Sequence, residues 1–128
     1  MKQLGTLLAA DLTGCNAAVL DDLDKLEEIF KTAAVIAGAT VVNSTSFRYA
    51  PQGVSVMVVI SESHVSTHTW PEYDYAAVDF FTCGESVDPY KGLDYIVQEL
   101  GATNVQVTEI ARGIPSDIAE KLAHKGSS

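Results

Sequence analysis

The stretch from residue 61 to residue 84 gathers side chains that can take part in covalent or proton-transfer chemistry. It holds two of the three histidines, His64 and His68, together with Cys83 and the only tryptophan, Trp70. Cysteine and histidine together indicate a nucleophilic pair, a metal centre, or a pair that moves protons for another reactive group. A purely structural role, with His68 at a strand end and Cys83 as a small buried side chain, is the fourth alternative.

Spacing argues against the metal centre. His64 and His68 share one face of an extended strand, but they lie about 13 Å apart along it at roughly 3.3 Å per residue. The sequence contains no CxxC pair that would supply other ligands. We therefore predict no metal, and the roles of His64 and of nearby Asp79 stay open.

The elements that position these residues follow from the periodicity of the apolar side chains. Apolar residues recur every three or four positions in two long segments, which Gly38 and an Asp88-Pro89 cap help to delimit. Alternating or β-rich runs predict the strands. The predicted strands are 3–12, 39–49, 53–61, 64–69, 75–83 and 104–110, and the predicted helices are 17–37, 89–100 and a short terminal one at 115–124.

This order predicts an α+β fold, a two-layer sandwich of a mostly antiparallel sheet with two main helices on one face. Alternation in the fifth strand places Tyr75, Ala77, Asp79, Phe81 and Cys83 on one face. The other face of the sheet would stay uncovered by helices. We therefore expect that face to be buried in a homodimer or a higher homo-oligomer.

Length and charge limit the possible partners. The 128 residues predict a single domain over 1–128, and the formal net charge of −9 argues against nucleic acids and anionic membranes. No Lys or Arg lies between Arg48 and Lys91, so an active site in this stretch would favour a cationic ligand. The alternative is that the absence has no functional meaning, because strands in the middle of the chain simply lack lysines. Two cysteines make no disulfide framework and no signal peptide is visible, so we expect a cytoplasmic protein.

Three motifs in this chain resemble those of the small prokaryotic S-adenosylmethionine decarboxylases. They are SESH at 61–64, HTWPEY at 68–73 and FTCGE at 81–85, and the resemblance extends from Leu4-Gly5 to about Gly113. The family is pyruvoyl-dependent and is made as a proenzyme, or zymogen. The resemblance therefore implies a carboxy-lyase that cuts its own chain.

The resemblance implies cleavage between Glu62 and Ser63, giving a β chain (1–62) and an α chain (63–128). The Ser63 hydroxyl attacks the carbonyl carbon of Glu62 to form an ester, and β-elimination of the Glu62 carboxylate leaves dehydroalanine at residue 63. The dehydroalanine tautomerises to an imine, and water then releases ammonia and leaves the pyruvoyl group. By the same resemblance, His68 accepts the Cα proton of Ser63. Ser55 hydrogen-bonds the processing intermediate.

The resemblance also implies how the mature protein would act. The pyruvoyl ketone forms a Schiff base with the substrate amine and takes up electrons as CO₂ departs, and Cys83 donates a proton to the product carbon. Tyr49 and Trp70 would hold the adenine, and Glu72 would accept both ribose hydroxyls. Core or interface roles for the two aromatic side chains are the alternative.

Three functions stay open. The first is decarboxylation of S-adenosyl-L-methionine, which supplies the aminopropyl donor for spermidine biosynthesis. The second is the same mechanism on L-arginine or L-ornithine, and the third is an unprocessed, non-catalytic homologue. Departures from the family pattern bear on this choice: Thr6-Leu7-Leu8 replaces a more polar opening, and Asp74 stands where the family commonly has Gly. Asp74 is thus a further candidate for substrate binding, because a carboxylate suits a guanidinium or ammonium group. The alternative is that Asp74 is a turn residue exposed to solvent.

Overall fold

The computed structural model describes residues 3–61 and 63–114. Within them the strands are β1 (Gly5–Thr13), β2 (Val41–Arg48), β3 (Val54–Ile60), β4 (Ser63–Trp70), β5 (Tyr75–Cys83) and β6 (Asn104–Arg112). The helices are α1 (Ala17–Leu20), α2 (Leu23–Ile36) and α3 (Pro89–Leu100), and a 3-10 turn at Pro71–Tyr73 joins β4 to β5. Glu62 and the helix predicted at 115–124 lie outside the described residues.

The strands form one six-stranded sheet in the order β2-β3-β4-β5-β1-β6. Every neighbouring pair is antiparallel. The predicted α+β class with a mostly antiparallel sheet is therefore confirmed. The strand carrying the histidines, β4, lies inside the sheet and pairs with β3 on one side and with β5 on the other.

Helices α2 and α3 cover one face of the sheet and build the core with it. Their inward side chains repeat every three or four residues, as the periodicity predicted. Burying one large side chain of this kind contributes about 1.5–3 kcal/mol. The helix residues in the core include Leu26, Phe30, Leu93, Ile96 and Leu100, and the strand residues facing them include Leu8, Val56, Val58, Val78 and Phe80.

The single helix predicted at 17–37 is wrong, because the chain breaks after Leu20 and restarts at Leu23. The Asp22 carboxylate accepts the Lys25 N–H at 3.1 Å and caps α2. A capping side chain competes with a continuous helix for the backbone. The apolar pattern hid this break because Leu20 and Leu23 keep a helical spacing across it.

The bounds of five strands differ from the prediction by one or two residues, and those of β5 match it. The largest extension within the site is in β4, which begins at Ser63 and ends at Trp70 instead of spanning 64–69. The alternation predicted for β5 is confirmed, since Ala76, Val78, Phe80 and Thr82 are buried against the helices. Cys83 therefore lies on the other face of the sheet.

That other face, here called the open face, carries apolar side chains in contact with solvent. Phe47 is 60% exposed, and Met57, Val59 and Ile110 are each about 40% exposed. Register places Phe47 beside Ser55 and Val59 beside His64, so this apolar surface adjoins polar site residues. None of the described helices is long and apolar enough to cross a membrane.

Gly92 allows close packing of α3 against the core, and its replacement tests this packing. A Cβ there would lie 2.5 Å from Phe80 Cε2 and 2.8 Å from the Ala33 carbonyl oxygen. We expect Gly92→Ala to lower the free energy of unfolding by about 1–3 kcal/mol, although alanine favours helices. Urea denaturation measures the change. The control Lys91→Ala, on an exposed neighbour, should stay within about 0.5 kcal/mol; equal losses would refute the packing argument.

Candidate active site

A pocket of about 240 Å³ lies where β4 leaves the sheet. Its walls come from the end of β4, the turn that follows it and the loop between β2 and β3. The lining residues are Tyr49, Gln52, His68, Thr69, Trp70 and Glu72. The structure thus brings together four of the residues that the sequence analysis selected, His68, Tyr49, Trp70 and Glu72.

A chain of hydrogen bonds orients the pocket histidine. Ser55 lies directly opposite His68 on the neighbouring strand. Its Oγ lies 2.5 Å from His68 Nδ1 and donates to the Tyr49 hydroxyl at 3.0 Å. A hydrogen bond at Nδ1 fixes the imidazole ring, so proton exchange with another molecule would use Nε2. Ser55 therefore lies beside His68, and its role in processing stays a prediction.

The two pocket aromatics keep open ring surfaces. Tyr49 is 46% exposed and Trp70 is 39% exposed, which rules out a core role for either. Phe47 packs edge-on against Tyr49 at a centroid distance of 4.9 Å, and Tyr75 lies 5.3 Å from Trp70. Each pocket ring is thus supported on one side by another aromatic. A flat apolar group can stack on what is left exposed.

Sequence reasoning missed two lining residues, Gln52 and Thr69. Gln52 falls in the short connection between the predicted strands 39–49 and 53–61, and nothing in the pattern showed that it would face the site. Thr69 is buried, and its hydroxyl accepts the Val54 N–H at 2.9 Å. It therefore ties the start of β3 to the end of β4, the two strands that carry Ser55 and His68.

Ser63 and Cys83 lie at the opposite end of β4. Ser63 begins this strand, and its hydroxyl donates to the backbone carbonyl of Phe81. Cys83 ends β5 two residues beyond Phe81 and is half-buried. His64 pairs with Phe81 across the strands, with ring centroids 5.9 Å apart. The Arg112 guanidinium lies 5.7 Å from the centroid of the same ring, a cation that the sequence analysis did not place near this site.

The site residues therefore form two separate groups within one chain. We call Ser63 and Cys83 the cleavage cluster. The pocket cluster consists of Tyr49, Ser55, His68, Trp70 and Glu72. Ser63 and His68 are five residues apart on one extended strand, or about 16 Å at roughly 3.3 Å per residue. Proton transfer needs hydrogen-bond distance or one bridging water, so these two residues do not react within one chain.

Acidic side chains occupy the open face between the two clusters. The Tyr75 hydroxyl donates to Asp11 Oδ1 at 2.5 Å. This hydrogen bond, burial and the negative charges of Asp11 and Asp79 raise the pKa of Tyr75 to about 12. Tyr75 therefore stays a neutral donor at ordinary pH. Asp79 is exposed there and adds negative charge to the face.

Asp74 is a turn residue. Its φ of 52° and ψ of 33° place it in the left-handed region, where glycine fits without strain. Its N–H donates to Pro71 at 3.2 Å, and its carbonyl accepts the Cys15 N–H at 2.9 Å. Its side chain does not line the pocket described above. The geometry explains a preference for glycine at this position and favours the turn interpretation over a binding role.

Comparison with known proteins agrees with this geometry. The family model described as S-adenosylmethionine decarboxylase matches residues 6–113. The chain is 48% identical over 127 residues to the S-adenosylmethionine decarboxylase proenzyme of Thermosipho africanus, covering 98% of both chains. It is 49% identical over 129 residues to the protein of the same name from Thermotoga maritima, covering 96% of this chain and 99% of that one.

A solved structure is similar as well. The adenosylmethionine decarboxylase from Aquifex aeolicus superimposes with a TM-score of 0.83 at 33% sequence identity. The match covers 89% of this chain and 94% of that protein. The shared fold thus extends over both the pocket cluster and the cleavage cluster.

Replacing Asp74 tests whether its positive φ determines its contribution to the free energy of unfolding. We expect Asp74→Gly to keep or raise the free energy of unfolding, by up to about 1 kcal/mol, because glycine adopts positive φ freely. Asp74→Ala should lower it by about 1 kcal/mol, because alanine lacks the local side-chain bonding that lets Asp tolerate this region. Thermal and urea denaturation measure both. An Asp74→Ala variant more stable than wild type would contradict the assignment of Asp74 as a turn residue.

Proposed function

The chain belongs to the S-adenosylmethionine decarboxylase family, and from that premise we propose that it is a self-processing, pyruvoyl-dependent decarboxylase of S-adenosyl-L-methionine. Its product would be the aminopropyl donor for spermidine biosynthesis. One observation carries this proposal for the chain itself. The pocket joins two exposed aromatic rings, Tyr49 and Trp70, to the carboxylate of Glu72 beside an oriented His68.

The pocket suits each part of an adenosyl sulfonium ligand. A planar base can stack on Tyr49 or Trp70. The Glu72 carboxylate offers two acceptor oxygens, which match the two neighbouring hydroxyls of a ribose. A sulfonium cation is attracted both by aromatic faces and by the net negative charge. Asp74, the carboxylate that would have favoured arginine or ornithine, belongs to a turn, which supports the adenosyl substrate.

Ser63 is suited to become the pyruvoyl group. Its β-hydroxyl can attack the preceding carbonyl carbon, that of Glu62, so that the peptide bond is exchanged for an ester. Removal of the Cα proton of Ser63 then expels the Glu62 carboxylate, and the chain ends separate. The dehydroalanine left at position 63 would tautomerise to an imine, and water would replace its nitrogen, releasing ammonia and leaving the pyruvoyl ketone. His68 is proposed as the group that accepts this proton. Ser55 would support it through the hydrogen bond at Nδ1.

The pyruvoyl group, once present at position 63, would bind the substrate through its amino group and take up the electron pair left on Cα when CO₂ departs. Cys83 lies at the same end of the sheet as Ser63. A thiol there can give its proton to the substrate Cα once CO₂ has departed. Cys83 is therefore proposed as the proton donor in turnover, and His68 as the base in processing.

The 16 Å separation along β4 supports a site shared between two copies of the chain. Ser63 and Cys83 of one copy would then meet Tyr49, His68 and Glu72 of another. A two-fold axis between two stacked sheets, running across the strands, reverses strand direction. The cleavage cluster of each copy thereby faces the pocket cluster of its partner. Stacked sheets lie about 10 Å apart, close enough for side chains and a ligand to bridge them.

The open face has the composition that such a homodimer requires. Phe47, Met57, Val59 and Ile110 expose apolar area there, beside both clusters. Contiguous apolar surface of this kind is typical of an interface between subunits. Stacking two open faces would bury it and would exclude water from the two shared sites. The dimer thus accounts for both the distance between the clusters and the uncovered face.

Processing can be tested at Ser63. The wild-type chain should separate into residues 1–62 and 63–128, whereas Ser63→Ala should stay one chain of 128 residues, because alanine has no hydroxyl to attack. Intact-mass spectrometry distinguishes the two. Ser66→Ala, the same change on the same strand, is the control and should be cleaved. An uncut wild-type chain would instead favour a non-catalytic homologue.

The shared site can be tested by mixing inactive variants. Cys83→Ala and Glu72→Ala should each lose most CO₂ release from S-adenosylmethionine. Co-expressed, they should recover about a quarter of wild-type activity, because half of the dimers are mixed and each mixed dimer has one intact site. Release of labelled CO₂ measures the recovery.

The control pair for this experiment is Cys83→Ala with Ser63→Ala. Both changes lie in the cleavage cluster, so no mixed dimer of these two variants has an intact site, and no activity should return. Absence of recovery in the first mixture would refute the shared site. Release of CO₂ from arginine or ornithine alone would refute the proposed substrate.

A further inference from the structure

The loop between β2 and β3 carries two pocket residues, Tyr49 and Gln52, and is held at a defined position. Within the loop, the Tyr49 N–H donates to the Gly53 carbonyl at 2.9 Å. The Gly53 N–H donates to Asp21 Oδ1 at 3.0 Å. Gly53 is buried, and a buried N–H is costly to leave without a partner. Asp21 therefore anchors the pocket loop to the helical layer.

Asp21 reaches the loop because the helix is broken there. It follows the last residue of α1, and its own N–H donates to the Ala17 carbonyl at 3.2 Å. In a continuous helix the Leu20 carbonyl would accept an N–H four residues later. Here it accepts the Thr69 hydroxyl at 2.7 Å, on the pocket wall. The break thus directs two consecutive residues, Leu20 and Asp21, toward the pocket.

We propose that Asp21 is a positioning residue for the substrate pocket, which it aligns through its hydrogen bond to Gly53. The inference rests on the proposed function, because the ligand considered is S-adenosylmethionine. Asp21 also lies 3.5 Å from Arg48, but both side chains are 39% or more exposed. An ion pair so exposed contributes little, so the hydrogen bond to Gly53 is the link that matters.

The expected signature separates binding from chemistry. Asp21 is not among the residues that line the pocket, so its loss should loosen the loop and weaken binding. We expect Asp21→Ala to raise KM for S-adenosylmethionine about tenfold, while kcat stays within about threefold of wild type. Asp21→Asn should restore KM to within about threefold, because its amide oxygen still accepts the Gly53 N–H.

Asp22→Ala is the matched control. It removes a carboxylate from the same helix junction, and with it the cap bond to the Lys25 N–H. This change should destabilise α2 without moving the pocket loop, so KM should stay at the wild-type value. The denaturation midpoints of Asp21→Ala and Asp22→Ala should be measured beside their KM values. If both variants lose stability and only Asp21→Ala raises KM, the change in KM does not follow from stability.

Trp70, the only tryptophan, gives a second readout that needs no turnover. Quenching of its fluorescence by 5′-deoxy-5′-methylthioadenosine should report a Kd about tenfold weaker in Asp21→Ala than in wild type or Asp22→Ala. Equal effects of Asp21→Ala and Asp22→Ala, or an Asp21→Asn variant as weak as Asp21→Ala, would overturn the inference. A wild-type protein that binds this probe but releases no CO₂ from S-adenosylmethionine would count against the proposed function alone.

Discussion

The register of β3, β4 and β5 determines where Ser55, Ser63, His68 and Cys83 lie relative to one another. Ser55 opposes His68, and His64 opposes Phe81, so the two clusters are separated by the length of β4. A slip of one residue would exchange the two faces of a strand and turn His68 toward the helices. The core prevents that slip, because Val65 and Thr67 are buried on the helical side. Packing of one face thus fixes the chemistry of the other.

Much of this arrangement could be predicted from the sequence, because strand periodicity and motif chemistry are local signals. The alternation of β5 and the grouping of Trp70 with Glu72 depend on neighbours in the chain. The break before Asp22 could not be predicted, since a capping carboxylate left the apolar pattern intact. Gln52 and Arg112 were missed for another reason: their positions depend on a loop anchor and on a strand pairing between distant residues.

The separation of the clusters was the least predictable feature. Motif resemblance assigns roles to Ser63 and His68 without saying which copy of the chain provides each. Only strand geometry shows that their distance exceeds the reach of a hydrogen bond. In the proposed dimer, the same geometry would link two features that the sequence treats separately, the uncovered apolar face and the separation of the two clusters. A face that must bind a second copy to complete an active site tolerates fewer residue changes than a face that only has to be shielded from water.

The acidic groups of the open face impose a cost on the proposed pairing. Stacking two such faces brings Asp11 and Asp79 near their counterparts, and like charges taken out of water are costly. The Tyr75 hydroxyl offsets part of this cost for Asp11, and its raised pKa keeps it a donor at ordinary pH. In the proposed dimer, the charge left over would produce a negative potential between the two shared sites. A cationic substrate would reduce the repulsion between these carboxylates. The acidity of the chain would therefore favour substrate binding in the dimer.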